Sequence, residues 1–308
     1  MALGKLPLGE RILLTGVTGQ VGGELWKTLK SLGDVVAPER ATMDLANAGS
    51  VRETIRSVRP RWIVNPGAYT AVDKAESEPE LAYAINAEAV RVIGEEARAL
   101  GAGVIHFSTD YVFDGLGNKP YAETDATGPV SVYGASKLAG EKALRDSGAA
   151  HMIFRTSWVY GTRGRNFLLT ILKLARERET LRIVADQYGA PTWSRDLARM
   201  TAHVIGRSEA DAQTTGFETA TQDASGVYHA AGGGETTWFG FAAEALQLQY
   251  EMEPGVRLAA VEAIPTDQYP TPAKRPLNSR LNCSKLTQRF GWTMMDWRNS
   301  LREVLAEI

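Results

Sequence analysis

The stretch RILLTGVTGQVGG, residues 11–23, decides the fold. Ile12, Leu13 and Leu14 make a short apolar run of strand character that passes straight into a turn holding Gly16, Gly19, Gly22 and Gly23. A turn between a buried strand and a helix presents the helix's first amides, and the positive end of its dipole, to an approaching anion. Glycines let the backbone come close. The spacing Gly16-x-x-Gly19-x-x-Gly22 departs by one residue from G-x-G-x-x-G, yet it offers the same mechanics: a tight bend, close approach of a pyrophosphate and close helix packing. A P-loop is excluded, because Gly22 is followed by Gly23 and Glu24 rather than by Lys and a hydroxyl residue.

Outward from this turn, short apolar runs alternate with longer amphipathic ones: GELWKTLKSLG, DVVAP, SVRETIRSVRP, RWIVNPGA, PELAYAINAEAVRVIGEEARALG and GVIHFSTD. Strand and helix taking turns predict an α/β fold, a Rossmann-type doubly wound parallel sheet with helices on both faces. The expected dinucleotide-binding domain covers residues 1–165, with returning elements from about 194–240. Residues 166–308 are expected to be mainly a smaller, partly intertwined substrate-binding domain. The polar, Thr-rich segment 208–226 reads as an exposed insertion or a mobile loop. The segment 264–279, with four prolines, reads as extended and irregular.

Composition narrows the function. Over 308 residues, 44% are hydrophobic and 23% charged, which suits a globular chain with a sizeable core. A net charge of -2 gives no electrostatic reason to expect nucleic acid or an anionic membrane surface, so a small-molecule partner is favoured. With one cysteine, Cys283, and four scattered histidines, no metal-ligand spacing emerges and no metal residue is assigned. His106 and His229, inside apolar strand runs, read as structural. Cysteine usage and the lack of a signal-like start predict a cytoplasmic protein.

Three further features carry chemistry. Tyr133 and Lys137 of YGASK lie four residues apart on a helix expected at about 132–147, where the lysine's charge favours phenolate and lowers the tyrosine's pKa. Ser108, Thr109 and Asp110 fall at the carboxyl end of a strand, where ligands of open α/β sheets bind. After the second strand, Asp44 serves either the nucleoside end of a cofactor or a helix N-cap, while Glu39 suits a ribose hydroxyl and Arg40 a 2′-phosphate. NADPH is preferred, with NADH the alternative.

Glycine turn, strand-end hydroxyls and Tyr-Lys helix together resemble the extended short-chain dehydrogenase/reductase family. Seven segments in order, GVTGQVG, NPGAYTAVDKAESEPELAYAINAEAV, VIHFSTDYVFDG, YGASKLAGEKAL, FRTSWVYG, DQYGAPTW and YPTPAKRPLNSRL, resemble the dTDP-4-dehydrorhamnose reductase branch, from about 11 to 305. The resemblance implies cofactor binding by Gly16, Gly19, Gln20, Val21, Gly22, Asp44, Leu45, Gly67, Ala68, Tyr69 and Lys137. It implies catalysis by Tyr133, Lys137 and Thr109, and substrate contacts from Thr109, Asp110, Tyr133, Trp158, Asn166 and Arg275. Pro66 departs from the alanine usual in the family. Arg165 and Arg280 are added as candidates for a diphosphate, whereas Trp193 and Trp238 read as core or interface.

The implied reaction is reduction of the C4 keto group of dTDP-4-dehydro-L-rhamnose to dTDP-L-rhamnose by NAD(P)H, with the proton from Tyr133. Tyr111 stands where the related 4,6-dehydratases carry Glu, which disfavours elimination. The alternatives are a reductase or epimerase of another nucleotide-activated 4-keto sugar, and a non-catalytic regulatory subunit resembling that of methionine adenosyltransferase. A homodimer is implied, and a Mg2+ at a dimer contact is compatible with the resemblance, without assignable ligands.

Overall fold

The computed structural model describes residues 4–308. Its central sheet has six parallel strands: β1 (Arg11–Leu14), β2 (Asp34–Val36), β3 (Trp62–Asn65), β4 (Gly103–Thr109), β5 (His151–Thr156) and β6 (Gly226–His229). They lie in the order β6-β5-β4-β3-β1-β2. The direction of winding therefore reverses between β1 and β3, and the crevice beyond their carboxyl ends is the place where such sheets bind ligands. The helices α1 (Gln20–Leu29), α2 (Ala48–Val58), α3 (Ala89–Leu100) and α4 (Val132–Asp146) provide the crossovers. Two apolar layers flank the sheet: Leu13, Ile63, Val104 and Ile153 face one, Ile12, Leu14, Val64 and Phe154 the other.

A third core lies outside the sheet, around Tyr160, Leu172, Trp193, Phe241 and Trp297. It is built by α5 (Phe167–Glu177), α7 (Trp238–Met252) and α8 (Trp297–Leu305), with a two-stranded parallel sheet of Thr180–Val184 and Ala260–Ile264 on its flank. Between α5 and α7 the chain returns to the first layer: α6 (Ser194–Thr215) packs along α1, and β6 then completes the main sheet beside β5.

The segment 208–226 is not a mobile loop. Residues Phe217–Asp223 form a second helix after α6, and the pair is bolted to the sheet. Buried Glu209 accepts from Arg61 at 2.8 and 3.0 Å and from the Trp62 indole at 2.7 Å, while Phe217 meets Trp62 edge-on. High polarity misleads here because the buried face is made of small or paired residues, Ser208, Glu209, Ala220, Thr221 and Ala224, rather than large apolar ones. In the Pro-rich segment, the strand Ala260–Ile264 ends at its first residue and only Thr266–Gln268 forms a short 3-10 turn; the remainder is irregular, as expected.

The glycine turn is sterically closed. Gly16 has φ +58, and a Cβ there meets the Gly67 backbone at 2.8 Å; a Cβ on Gly22 falls 2.0 Å from the Gly16 carbonyl oxygen. Gly19 differs, since its nearest atom is 3.3 Å away. Gly22→Ala is therefore expected to cost about 2–3 kcal/mol by overpacking, against about 1 kcal/mol or less for Gly19→Ala. Chemical denaturation of the two variants checks the ranking, and equal costs refute it.

Candidate active site

Helix α4 is capped by Ser131, whose hydroxyl accepts from the Gly134 amide and fixes where the helix starts. Gly134 lies close under Tyr111 and Gly140 under Asn86, where a Cβ has no room, so the helix approaches the layer below at van der Waals distance. Tyr133, Lys137 and Glu141 then share the face toward β4. Lys137 is buried, donating to the Phe107 carbonyl at 2.6 Å and standing 3.3 Å from His106 Nε2. Glu141 accepts from Ser108 at 2.5 Å and from Arg155 at 2.9 and 2.7 Å, a buried ion pair.

Thr109 and Asp110 sit at the end of β4, both buried, with the Thr109 hydroxyl donating to Asp110 at 3.0 Å. The Thr109 hydroxyl also opposes the upward displacement of the Tyr133 pKa. The net effect on Tyr133 is nevertheless a large rise, because burial outweighs that hydroxyl and the Asp110 carboxyl adds to it. This corrects the electrostatic expectation from the Tyr-x-x-x-Lys spacing. Helical spacing places the two residues on one face, but Lys137 points at β4, and burial brings its own pKa down to about 8 against the opposing charge of Glu141.

The glycine turn lies at the reversal point of the sheet. Gly67 packs so closely on Leu45 and Thr15 that a Cβ is excluded, with Leu45 Cδ1 at 2.6 Å. Turn, Asp44-Leu45 loop and β3 end thus form one surface. Gly19 caps α1 without a side chain, and the helix's first amides open beside it. This suits a pyrophosphate: the amides supply donors and the uncrowded Gly19 leaves access. Gln20 donates to the Val159 carbonyl at 3.3 Å, and Val21 packs on the main core. Asp44 turns its carboxylate onto the Ala46 amide and lies 3.6 Å from Arg40; the cap of α2 is Asn47, not Asp44. Ala68 is half-buried. Tyr69 sends its hydroxyl to Glu78 at 2.5 Å, so it offers the cofactor crevice its backbone, which Asn86 holds from both sides.

Next to Tyr133, whose ring meets Tyr111 edge-on at 5.5 Å, opens a cavity of about 480 Å³. Its walls include Asp73, Tyr111, Arg182, Gln187, Trp238 and Arg275. Arg275 pairs with Asp73 at 2.7 Å and leaves Nη1 without a partner. Trp158 adopts φ +49 and stacks on Trp238 with centroids 3.7 Å apart, so Trp238 belongs to the cavity wall as well as to the packing around it. Trp193 is core, as expected. Asn166 caps α5 and spends its amide on Gln20, Gly161 and Arg163 oxygens, tying the loop after β5 to the glycine turn. Arg280 is occupied by Glu235, Asn278 and the Asn118 carbonyl, and Arg165 is exposed.

Asp73, Gln187 and Ser279 fall within the resembling segments with no chemistry assigned to them from sequence, and Trp238, read there as core or interface, falls outside those segments. His106 and His229 are both buried in strands and pushed toward the neutral form by burial. Burial raises the Cys283 thiol to about 11, against nucleophilic use. Among the described residues there is no cluster of metal-ligating side chains, and no helix is long and apolar enough to cross a membrane.

Fold and site together define a Rossmann-type dinucleotide-binding protein of the extended short-chain dehydrogenase/reductase class. Residues 10–308 match the family described as the RmlD substrate binding domain. The chain is 48% identical over 303 residues to the dTDP-4-dehydrorhamnose reductase of Escherichia coli K12, covering 96% of this chain and 97% of that one. It is 45% identical over 304 residues to that of Burkholderia thailandensis, with 96% and 100% covered. A solved dTDP-4-dehydrorhamnose reductase from Bacillus anthracis strain Ames, in complex with NADP, superposes with TM-score 0.86 at 33% identity, over 97% of this chain and 99% of that one. The chain belongs to the dTDP-4-dehydrorhamnose reductase family.

Burial raises the Asp110 carboxyl to about 6, against hydrogen bonds from Ser279 and Thr109. The folded chain then binds this proton more tightly than the unfolded one, so the stability it contributes is full below the ordinary carboxylate range and is lost as pH rises through about 6. Two pKa units correspond to roughly 3 kcal/mol. Asp110→Asn is expected to exceed the wild type in stability by up to about 3 kcal/mol at pH 8 and to match it near pH 4. Unfolding curves at both pH values decide this; a pH-independent difference refutes it.

Proposed function

We propose that the protein reduces the C4 keto group of dTDP-4-dehydro-L-rhamnose to dTDP-L-rhamnose, with Tyr133 as proton donor. The observation that carries this reading is the placement of the Tyr133 phenol on α4, one turn before Lys137 and one ring away from the cavity, where burial favours its protonated form. A donor must hold its proton until charge develops on the substrate. A phenol with a raised pKa does so at neutral pH and releases the proton only to an alkoxide, which is more basic still. Thr109 orients the carbonyl oxygen toward Tyr133, and Asp110, buried beside it at the end of β4, contacts the sugar. Tyr111, which cannot serve as a second carboxylate acid-base group, follows them and favours simple reduction over elimination.

NADPH, with NADH as the alternative, supplies the hydride. Gly16, Gly19, Gln20, Val21 and Gly22 would hold its pyrophosphate, Asp44, Leu45 and neighbouring Arg40 its adenosine end, and Gly67, Ala68, the Tyr69 backbone and Lys137 the nicotinamide side. Trp158, stacked on Trp238, and Arg275, in the cavity wall, would receive the nucleotide sugar; Asn166 supports them by fixing the loop after β5. In this reading residues 1–165 with returning elements from about 194–240 serve the cofactor, and 166–308 mainly the substrate. The protein works as a homodimer in the cytoplasm, supplying a precursor of cell-surface polysaccharide.

Tyr133→Phe is expected to lower kcat about 10²–10⁴-fold, with NADPH binding unchanged. Loss of NADPH absorbance with enzymatically generated substrate measures the first, and fluorescence titration the second. Wild-type protein that binds NADPH and shows no turnover on this sugar overturns the reading.

A further inference from the structure

Four buried polar side chains form a row from the glycine turn to α4. Thr15 Oγ1 stands 2.5 Å from Asn65 Oδ1, Asn65 Nδ2 is 3.1 Å from His106 Nδ1, and His106 Nε2 is 3.3 Å from Lys137 Nζ. The Gly67 amide donates to Thr15 Oγ1 at one end, and Lys137 donates to the Phe107 carbonyl at the other. Relative exposures of 3%, 1%, 0% and 2% along the row leave water no place in it.

Hydrogen-bond direction is constrained along this row. A separation of 2.5 Å suits O–H···O and is short for N–H···O, so the Asn65 oxygen faces Thr15 and its amide nitrogen faces the ring. The His106 Nδ1 then accepts. A neutral imidazole with an accepting Nδ1 carries its proton on Nε2, and Nε2–H points at Lys137 Nζ. An ammonium has no lone pair to receive that proton; a neutral amine has one.

We propose that His106 is a positioning residue for Lys137: its Nε2–H holds the lysine as the neutral amine, and protonation of Lys137 requires the imidazole to change tautomer and Asn65 to turn its amide over. The net change is uptake of one proton from solvent, with one proton on the ring before and after. In the charged state Nζ donates to Nε2, Nδ1–H donates to the Asn65 oxygen, and the Asn65 amide faces Thr15 at the root of the glycine turn. The charge on Lys137 is thereby linked to the hydrogen bonding of the strand ends that form the cofactor crevice. The inference rests on the reductase reading only for its catalytic consequence.

The groups that face Lys137 are few. His106 comes from β4, Glu141 lies one turn on and is held by Arg155 of β5, and Tyr133 lies one turn back. Asp110 and Tyr111 follow β4. From the far side of α4 come neutral Asn86 and, at the helix start, Glu76, which accepts from the Val132 amide; Glu88 and Arg91 pair with each other in solvent. The lysine midpoint near 8 puts the switch within reach of titration.

The first test uses wild-type cofactor-free protein with ¹⁵N-histidine and labelled lysine, followed by NMR from about pH 6 to about pH 10. Above the Lys137 midpoint, His106 is expected to show an unprotonated Nδ1, and below it an unprotonated Nε2. One tautomer throughout, while Lys137 titrates, overturns the proposal. The second test is His106→Gln, whose carbonyl can turn to Nζ and accept from the ammonium. The Lys137 midpoint and the alkaline limb of kcat are expected to rise together by at least about one unit. A merely structural role lowers stability and rate at every pH and leaves the midpoint in place. Because the NMR readout needs no substrate, absent turnover with an intact tautomer switch removes the sugar assignment and leaves this relay standing.

Discussion

Strand β4 is buried on all seven of its residues, yet its second half carries His106, Ser108 and Thr109. A polar side chain left unpaired there costs about 1–3 kcal/mol, so the surrounding elements are obliged to bring partners. His106 takes Asn65 and Lys137, Ser108 takes Glu141, and Thr109 takes Asp110. Two of those partners, Lys137 and Glu141, are one turn apart on α4. Satisfying both fixes the rotation and the height of that helix, and Tyr133, one turn earlier, is delivered to the end of β4 as a consequence. The Tyr133 phenol is thus placed by the hydrogen-bonding needs of a strand it does not belong to.

The same requirement explains the buried charge. Glu141 accepts from Ser108, and desolvating its carboxylate demands a counterion, which β5 provides as Arg155 in a two-pronged contact. Such a pair gives little net stability compared with an apolar one, whereas losing one member strands the other. Its value lies in geometry: β4, β5 and α4 are pinned at one level, on the side where the crevice opens.

Much of this was legible in the residues. The apolar run into glycines gave the first strand-turn-helix unit, the alternation gave the parallel sheet, and Tyr133 with Lys137 gave the helix face. What spacing does not reveal is the direction in which Lys137 points. Its target is a strand 30 residues earlier, and a pKa expected to fall is instead raised by burial. The segment 208–226 escapes a reading from average polarity for a related reason, since that average says nothing of Glu209 and Phe217 meeting Arg61 and Trp62, or of the small residues Ala220, Thr221 and Ala224 that are buried with them. Trp238 lies 80 residues from the Trp158 it stacks on, and no periodicity links them.

The Pro-rich segment shows how an irregular stretch can be the most constrained part of a site. From Pro276 onward the chain crosses back over the first layer, and its backbone is stitched down in sequence: Asn278 donates to Gly115, Tyr188 to Leu277, Ser279 to Tyr188, Tyr121 to Arg280 and Asn282 to Tyr121. Pro276 lies against Gly115 so closely that a Cβ there has no room. Prolines remove amides that this path does not use, and they reduce the freedom the unfolded segment would otherwise lose. The strap carries Arg275 to Asp73 and Ser279 to Asp110. A helix or strand at this point could present one side chain to each layer only by matching its own period to the gap, and an extended strap needs no such match.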